Sequence, residues 1–202
     1  NGIYIGGNMF SLAGSFARTN GYVINRANVM AGGAYTVYSF TNLATGAVAG
    51  PYTPQGVDNF DLTATQGYFV GVDVLNFGIL QVRRVSTPAA VPTISANLTV
   101  TVNTTSSPRT VPHLGNSGGA NGQLDGLDDR LFAAVMRNGR LWTAHNISVN
   151  TTGIAATSGA IRRNGARWYE LQNLGATPIV FQSGTIFDPA ATVSNPRWNS
   201  IP

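Results

Sequence analysis

The chain contains no cysteine and no lysine in 202 residues. Without cysteine there is no disulfide and no thiolate metal site. Without lysine, all twelve basic residues are arginine, set against seven aspartates and a single glutamate. Charged residues make up only 10%, against roughly a quarter in ordinary globular domains. The surface must therefore be covered by Ser, Thr, Asn, Gln and Gly, a coat that suits a secreted or cell-surface protein. The net charge of +4 does not make a nucleic-acid surface. Its arginines are scattered, the closest pairs being Arg83-Arg84 and Arg162-Arg163, where phosphate binding wants a dense stripe of cations. No apolar run reaches the roughly 18 residues needed to span a bilayer. No signal peptide is visible, because Asn1-Gly2-Ile3 already reads as the start of a strand. Four N-x-Ser/Thr sequons, at Asn97, Asn103, Asn146 and Asn150, read as chance matches in a chain rich in Asn and Thr.

Turn formers and short alternating strands fill the chain instead, with 24 Gly and 10 Pro. Gly2-Ile3-Tyr4-Ile5 recurs as Gly67-Tyr68-Phe69-Val70 and as Arg130-Leu131-Phe132-Ala133. A repeat of this length predicts one supersecondary unit used three times. Each unit has room for about four short strands, the size of a propeller blade. The expected units are about 1–54, 55–112 and 113–190, with a further one begun at 191–202. The expected fold is all-β, a β-propeller of about three four-stranded blades. Three blades do not close a ring, so closure is expected from further chain or from other copies.

Local signals support strands. In the first unit these are Ile3–Phe10, with a Gly6-Gly7 kink that predicts a bulge or a close backbone approach, then Tyr22–Ile24 and Ala34–Phe40, with a turn over Thr41–Gly46. Tyr68–Val74, Phe77–Val85 and Ile94–Val102 follow. In the third unit Asn138-Gly139 is the strongest short hairpin signal. It joins Arg130–Met136 to Leu141–Ile147, with Arg167–Leu171 and Ile179–Gln182 completing the unit. The glycine-rich stretch Leu114–Gly122 reads as a loop, since it lacks the Gly-Lys-Ser/Thr ending of a phosphate-binding loop.

Leu127-Asp128-Asp129-Arg130-Leu131-Phe132-Ala133-Ala134, Arg137-Asn138-Gly139-Arg140-Leu141-Trp142-Thr143-Ala144-His145-Asn146 and Arg163-Asn164-Gly165-Ala166-Arg167-Trp168-Tyr169-Glu170-Leu171 carry a resemblance. They resemble a group of exported bacterial β-propeller proteins of the sialidase-like or YVTN-like kind, which has no assigned activity. Asn1–Phe10 is similar to that group's blade opening. The resemblance implies a secreted or surface-bound bacterial protein.

Three functions fit these residues. The first is a non-enzymatic scaffold or binding module for a glycan or a protein, contacting its partner through Asp128, Asp129, His145 and Trp142 at the rim. The alternative is a sialidase-like glycoside hydrolase using Arg130, Arg167, Glu170 and Asp129. Guanidinium forks bind carboxylates, and a Tyr nucleophile such as Tyr169 is a recognised glycosidase variant. Against it, Tyr169 and Glu170 are adjacent and in a strand must face opposite ways, and the Asp-box of sialidase turns is absent. The third is a self-assembling surface or filament subunit. No cofactor is expected. His113, His145 and Asp125 are the residues that would be asked to hold a metal, and calcium is the ion that the oxygen-rich Asp125–Asp129 loop would take.

Overall fold

The computed structural model describes residues 2–86, 91–111, 113, 122–158, 163–190 and 202. The expected loop at 114–121 and the further unit at 191–201 lie outside them.

The chain is all-β, in three sheets. The first holds β1 (Gly2–Phe10), β2 (Phe16–Asn25) and β3 (Val37–Thr45), in that order. One short helix, α1 (Arg26–Met30), follows β2, capped by the Asn25 side chain, which accepts from the Ala27 and Asn28 N–H groups. β4 (Pro51–Gly56) crosses into the second sheet, and β5 (Asp58–Asn59) reaches over to the third. The second sheet continues with β6 (Gln66–Asp73), β7 (Ile79–Ser86), β8 (Thr93–Ile94) and β9 (Leu98–Thr101), the last two both pairing β7. The third runs β5, β10 (Leu131–Arg137), β11 (Arg140–Val149), β12 (Arg163–Gln172), β13 (Ile179–Ile186). All pairings named here are antiparallel except β5 with β10. Among the described residues no helix is long and apolar enough to cross a membrane.

Turn chemistry explains several boundaries. Asn138 and Gly139 both have positive φ, 51° and 71°, and Arg137 pairs Arg140 across them, as a two-residue hairpin requires. Thr41–Gly46 departs from its expected turn. β3 continues to Thr45, and the irregularity is a left-handed Asn42 (φ 55°) opposite a register slip between Thr19 and Gly21. Pro51 and Pro54 are tolerated because β4 is an edge strand, where a missing N–H costs no ladder bond. β4 is also bulged, with Thr53 at φ 45° and its register shifting between Tyr52 and Gln55.

The second sheet lies between the other two. Tyr68, Val70, Val72, Leu80 and Val82 pack with Leu131, Leu141, Tyr169 and Leu171 of the third sheet. Phe69 and Val85 point the other way, to Val23, Tyr4 and Phe40 of the first. This is the period of two of a strand buried on both faces. β4 packs between β1 and β10. Glycine allows β1 and β4 to approach so closely. A Cβ on Gly6 would sit 1.7 Å from the Pro54 carbonyl oxygen, and one on Gly56 2.5 Å from that of Tyr4.

The threefold sequence likeness is not kept in side-chain register. Gly67–Val70 lies on β6, between β4 and β7, and Leu131–Ala133 on β10, between β5 and β11, while Gly2–Ile5 lies on β1 beside β2. Their aligned rings, Tyr4 and Phe69, face each other across sheets, with centroids 5.6 Å apart. Rings at matching positions of a stacked repeat would point the same way. A short apolar run after a glycine is what many buried strands carry, so the likeness records burial rather than register.

Candidate functional site

The ends of β4, β6 and β10 that carry Tyr52, Asp73 and Leu131 surround a cavity of about 280 Å³. Its walls include Tyr52, Asp73, Asn76, Phe77, Asp128 and Asp129. Each side is held by a separate local device. Tyr52 precedes the bulge at Thr53, which Asn8 pins from β1: the Asn8 amide donates to Thr53 Oγ1 at 2.9 Å and accepts from the Thr53 N–H at 3.0 Å. Asp73 is buried and saturated. It accepts from the N–H groups of Gly50, Leu75 and Asn76 and from the side chains of Asn76 and Gln81. That clamp shapes the turn presenting Phe77, which is 52% exposed.

The acidic loop before β10 is anchored from beneath. Asn146 of β11 donates to the Gly126 carbonyl at 3.1 Å, and Asn164 of β12 exchanges two hydrogen bonds with the Arg109 backbone. A Cβ on Gly126 would lie 2.2 Å from the Arg109 carbonyl oxygen, so the loop closes tightly there. The Asp125 carboxylate caps the Leu127 N–H. Asp128 takes Arg130 in a fork, Oδ1 to Nε at 2.5 Å and Oδ2 to the terminal nitrogen at 2.6 Å.

The two neighbouring carboxyls are pushed apart. Burial acts to raise Asp128, but hydrogen bonds and charge from Arg130, with help from Tyr52, hold it below the usual carboxylate range. Asp129 has no such partner: among the described residues only its own N–H reaches the carboxylate. Burial, with the Asp128 charge beside it, pushes Asp129 up to about 6.

Beneath Asp129 a buried polar chain runs into the third sheet. The Asp129 carbonyl can only accept, so His145 carries its proton on Nδ1, 2.5 Å away. Nε2 then accepts from the Tyr169 hydroxyl at 3.1 Å. The Tyr169 oxygen in turn faces the Arg167 guanidinium, whose Nε donates to Thr185 Oγ1 at 2.6 Å. Burial, above all, pulls His145 down to about 4 and pushes Tyr169 well above its ordinary value. His145 is therefore neutral at physiological pH.

Asp128 and Asp129 share the cavity, while the other expected contact residues are elsewhere. His145 has no exposed surface and uses both ring nitrogens internally, which corrects its expected role as a ligand contact. Trp142 is 41% exposed on the opposite face of the third sheet, stacked on Trp168 with centroids 6.0 Å apart. Glu170 shares that outer face, bonded to Arg140 at 3.3 Å and Gln182 at 2.7 Å. Arg167 and Tyr169 are buried on the inner face, and Arg130 is taken by Asp128, so the arginines and Glu170 are not gathered around one opening. His113, His145 and Asp125 do not come together either: among the described residues no three His, Cys, Asp or Glu side chains are placed to share a metal. Tyr52, Asn76 and Phe77 belong to the cavity without any local sign in the sequence, because β4 and the β6–β7 turn bring them there.

No protein-family profile, curated protein or solved structure matches this chain.

Proposed function

We propose that this chain is a non-catalytic glycan-binding module of an exported bacterial protein, its three sheets serving as blades of a propeller. The observation that carries the reading is the Asp129 carboxylate, which has no side-chain partner among the described residues, sharing a cavity with the exposed Phe77 ring and Tyr52. Carboxylates that accept from sugar hydroxyls, beside an aromatic face that covers the C–H side of a sugar ring, form a recognition pair. A volume of about 280 Å³ suits one or two sugar rings rather than a protein surface. The sparse charge and the Ser/Thr/Asn coat favour work outside the cell, and the packing of β4 between β1 and β10 is the kind expected around a propeller axis.

A sialidase-like hydrolase is less well supported. A sugar carboxylate would meet Asp128 and Asp129 at the opening, with Arg130 already paired and Arg167 buried. The separated carboxyl pKa values do resemble an acid/base pair, so the test must include turnover. Oligosaccharides of glucose, xylose, mannose and N-acetylglucosamine, with sialyllactose, are titrated calorimetrically and assayed for cleavage. Binding without cleavage is expected, weakened about tenfold by Phe77→Ala and by Asp129→Asn, the loss of one good contact. Hydrolysis abolished by Asp129→Asn would overturn the non-catalytic reading. Binding unaffected by both substitutions would move the site elsewhere.

A further inference from the structure

A larger cavity, of about 460 Å³, opens at the other end of the same central strands. Its walls include Tyr4, Arg26, Asp58, Asn59, Phe60 and Asp61. The segment from Val57 to Gln66 forms one side and is pinned to the third sheet. Asp58 and Asn59 pair with Val135 and Met136, and the Phe60 N–H donates to the Met136 carbonyl at 3.1 Å.

Three features of this wall point to a ligand. First, the Asn59 amide has a fixed orientation, because its Oδ1 accepts from the Asp61 N–H at 2.9 Å. Its Nδ2 has no accessible surface and no hydrogen-bond partner among the described residues, a donor costly to leave unmade that a ligand reaches only by a small shift of the Asn59 side chain. Second, the Tyr4 hydroxyl lies over Gly67. Burial, with Tyr68 beside it, pushes Tyr4 up to about 12, so it stays protonated and can donate. Third, Phe60 is 67% exposed at the rim although its backbone N–H is held by the Met136 carbonyl. An aromatic ring presented to solvent on an anchored backbone costs little further ordering when a ligand stacks on it.

We infer that this cleft is a second glycan site, taking a neutral, hydroxyl-rich chain at the end opposite Asp129. Asn59 and Tyr4 supply donors and the Asp58 and Asp61 carboxylates supply acceptors. A sugar hydroxyl satisfies both kinds, because it donates and accepts. The two aspartates oppose an anion, and Arg26 in the same wall opposes a simple cation. An extended peptide would add to a free strand edge, but β5 already occupies the β10 edge here. With sites at both ends, one molecule can bridge two glycan chains and hold a polymer by avidity.

Calorimetric stoichiometry with the same neutral oligosaccharides tests this independently of the first site. The wild type is expected to bind two per chain. Phe60→Ala removes a largely exposed ring and keeps the backbone hydrogen bond; Asn59→Asp keeps the turn-forming oxygen and removes the donor. Each is expected to weaken one of the two sites about tenfold and leave the other unchanged, with circular dichroism confirming the fold. One site per chain, lost in Asp129→Asn and indifferent to Phe60→Ala, overturns this inference and leaves the first proposal standing. One site lost in Phe60→Ala and indifferent to Asp129→Asn does the reverse. No binding at millimolar sugar overturns both.

Discussion

The middle sheet meets its two neighbours in unlike ways. Toward the first sheet the contact around Phe69 is apolar and shaped by glycine. Phe69 lies against Gly21, where a Cβ would come within 3.0 Å of its ring, and Tyr4 meets Phe69 edge-on at 73°. Toward the third sheet a broader aliphatic layer surrounds Tyr169, whose hydroxyl joins the buried chain from Asp129 through His145 to Arg167. One interface is specified by shape, the other by where protons sit. The first should therefore be sensitive to volume and indifferent to pH, and the second should respond to both.

The largest expected effect breaks the aromatic interface. Phe69→Ala empties a fully buried ring site and should destabilise by about 3–5 kcal/mol, read as a lower urea midpoint with an unchanged slope. A loss under about 1 kcal/mol would mean that the glycine seat can collapse around the void.

The next effect sharpens the contrast by pH. His145 falls from its ordinary 6.5 to about 4 on folding. Between these values the unfolded chain binds the proton and the folded one does not. This contribution to stability is whole above pH 6.5 and is lost as pH falls toward 4, by about 3 kcal/mol at full extent. Asp129 has the opposite sign. Its folded value is raised from 3.8 to about 6, so its contribution is whole below 3.8 and is lost as pH rises through 6. The two groups oppose each other over nearly the same window. Asp129→Asn should therefore be more stable than wild type at neutral pH and lose that advantage in acid, unmasking a steeper acid loss. Parallel urea midpoints for the two proteins across this window would show that the assignment is wrong.

The smallest effect compares one hydroxyl on each side. Tyr169→Phe leaves His145 Nε2 without its donor and should cost about 1–3 kcal/mol. Tyr4→Phe removes a hydroxyl with no hydrogen bond among the described residues, and should stay within about 0.5 kcal/mol. Equal losses in thermal or urea unfolding would erase the distinction between the interfaces.

The third sheet was the most legible part of the chain because its signals are local. Asn138-Gly139 needs only its own positive φ angles to make a hairpin, and the alternation on either side needs only the pleat. The opposed directions of Tyr169 and Glu170 followed from the same period. Alternation also places Leu141, Thr143, His145 and Ile147 on one face of β11, but not whether that face looks inward. His145 therefore read as a rim ligand when it is a buried support. The likeness of Tyr4 to Phe69 misled for a related reason: strands buried in different positions of a sheet select similar residues. β4 was missed as the first strand of the second sheet, since two prolines and a bulge hide its pattern.

What the amino-acid sequence determined by itself is the material: β-structure without disulfides, short strands cut by glycine and proline, and a carboxylate-rich loop before β10. These follow from backbone preferences and from spacings of a few residues. The tertiary structure alone decided which sheet β4 joins, that Asp73 is saturated while Asp129 meets no side-chain partner among the described residues, and that Tyr52 and Phe77 stand beside it. Several of those outcomes depend on contacts between residues about twenty to eighty positions apart along the chain. Burial of side chains between sheets sets such contacts, and no local preference encodes it.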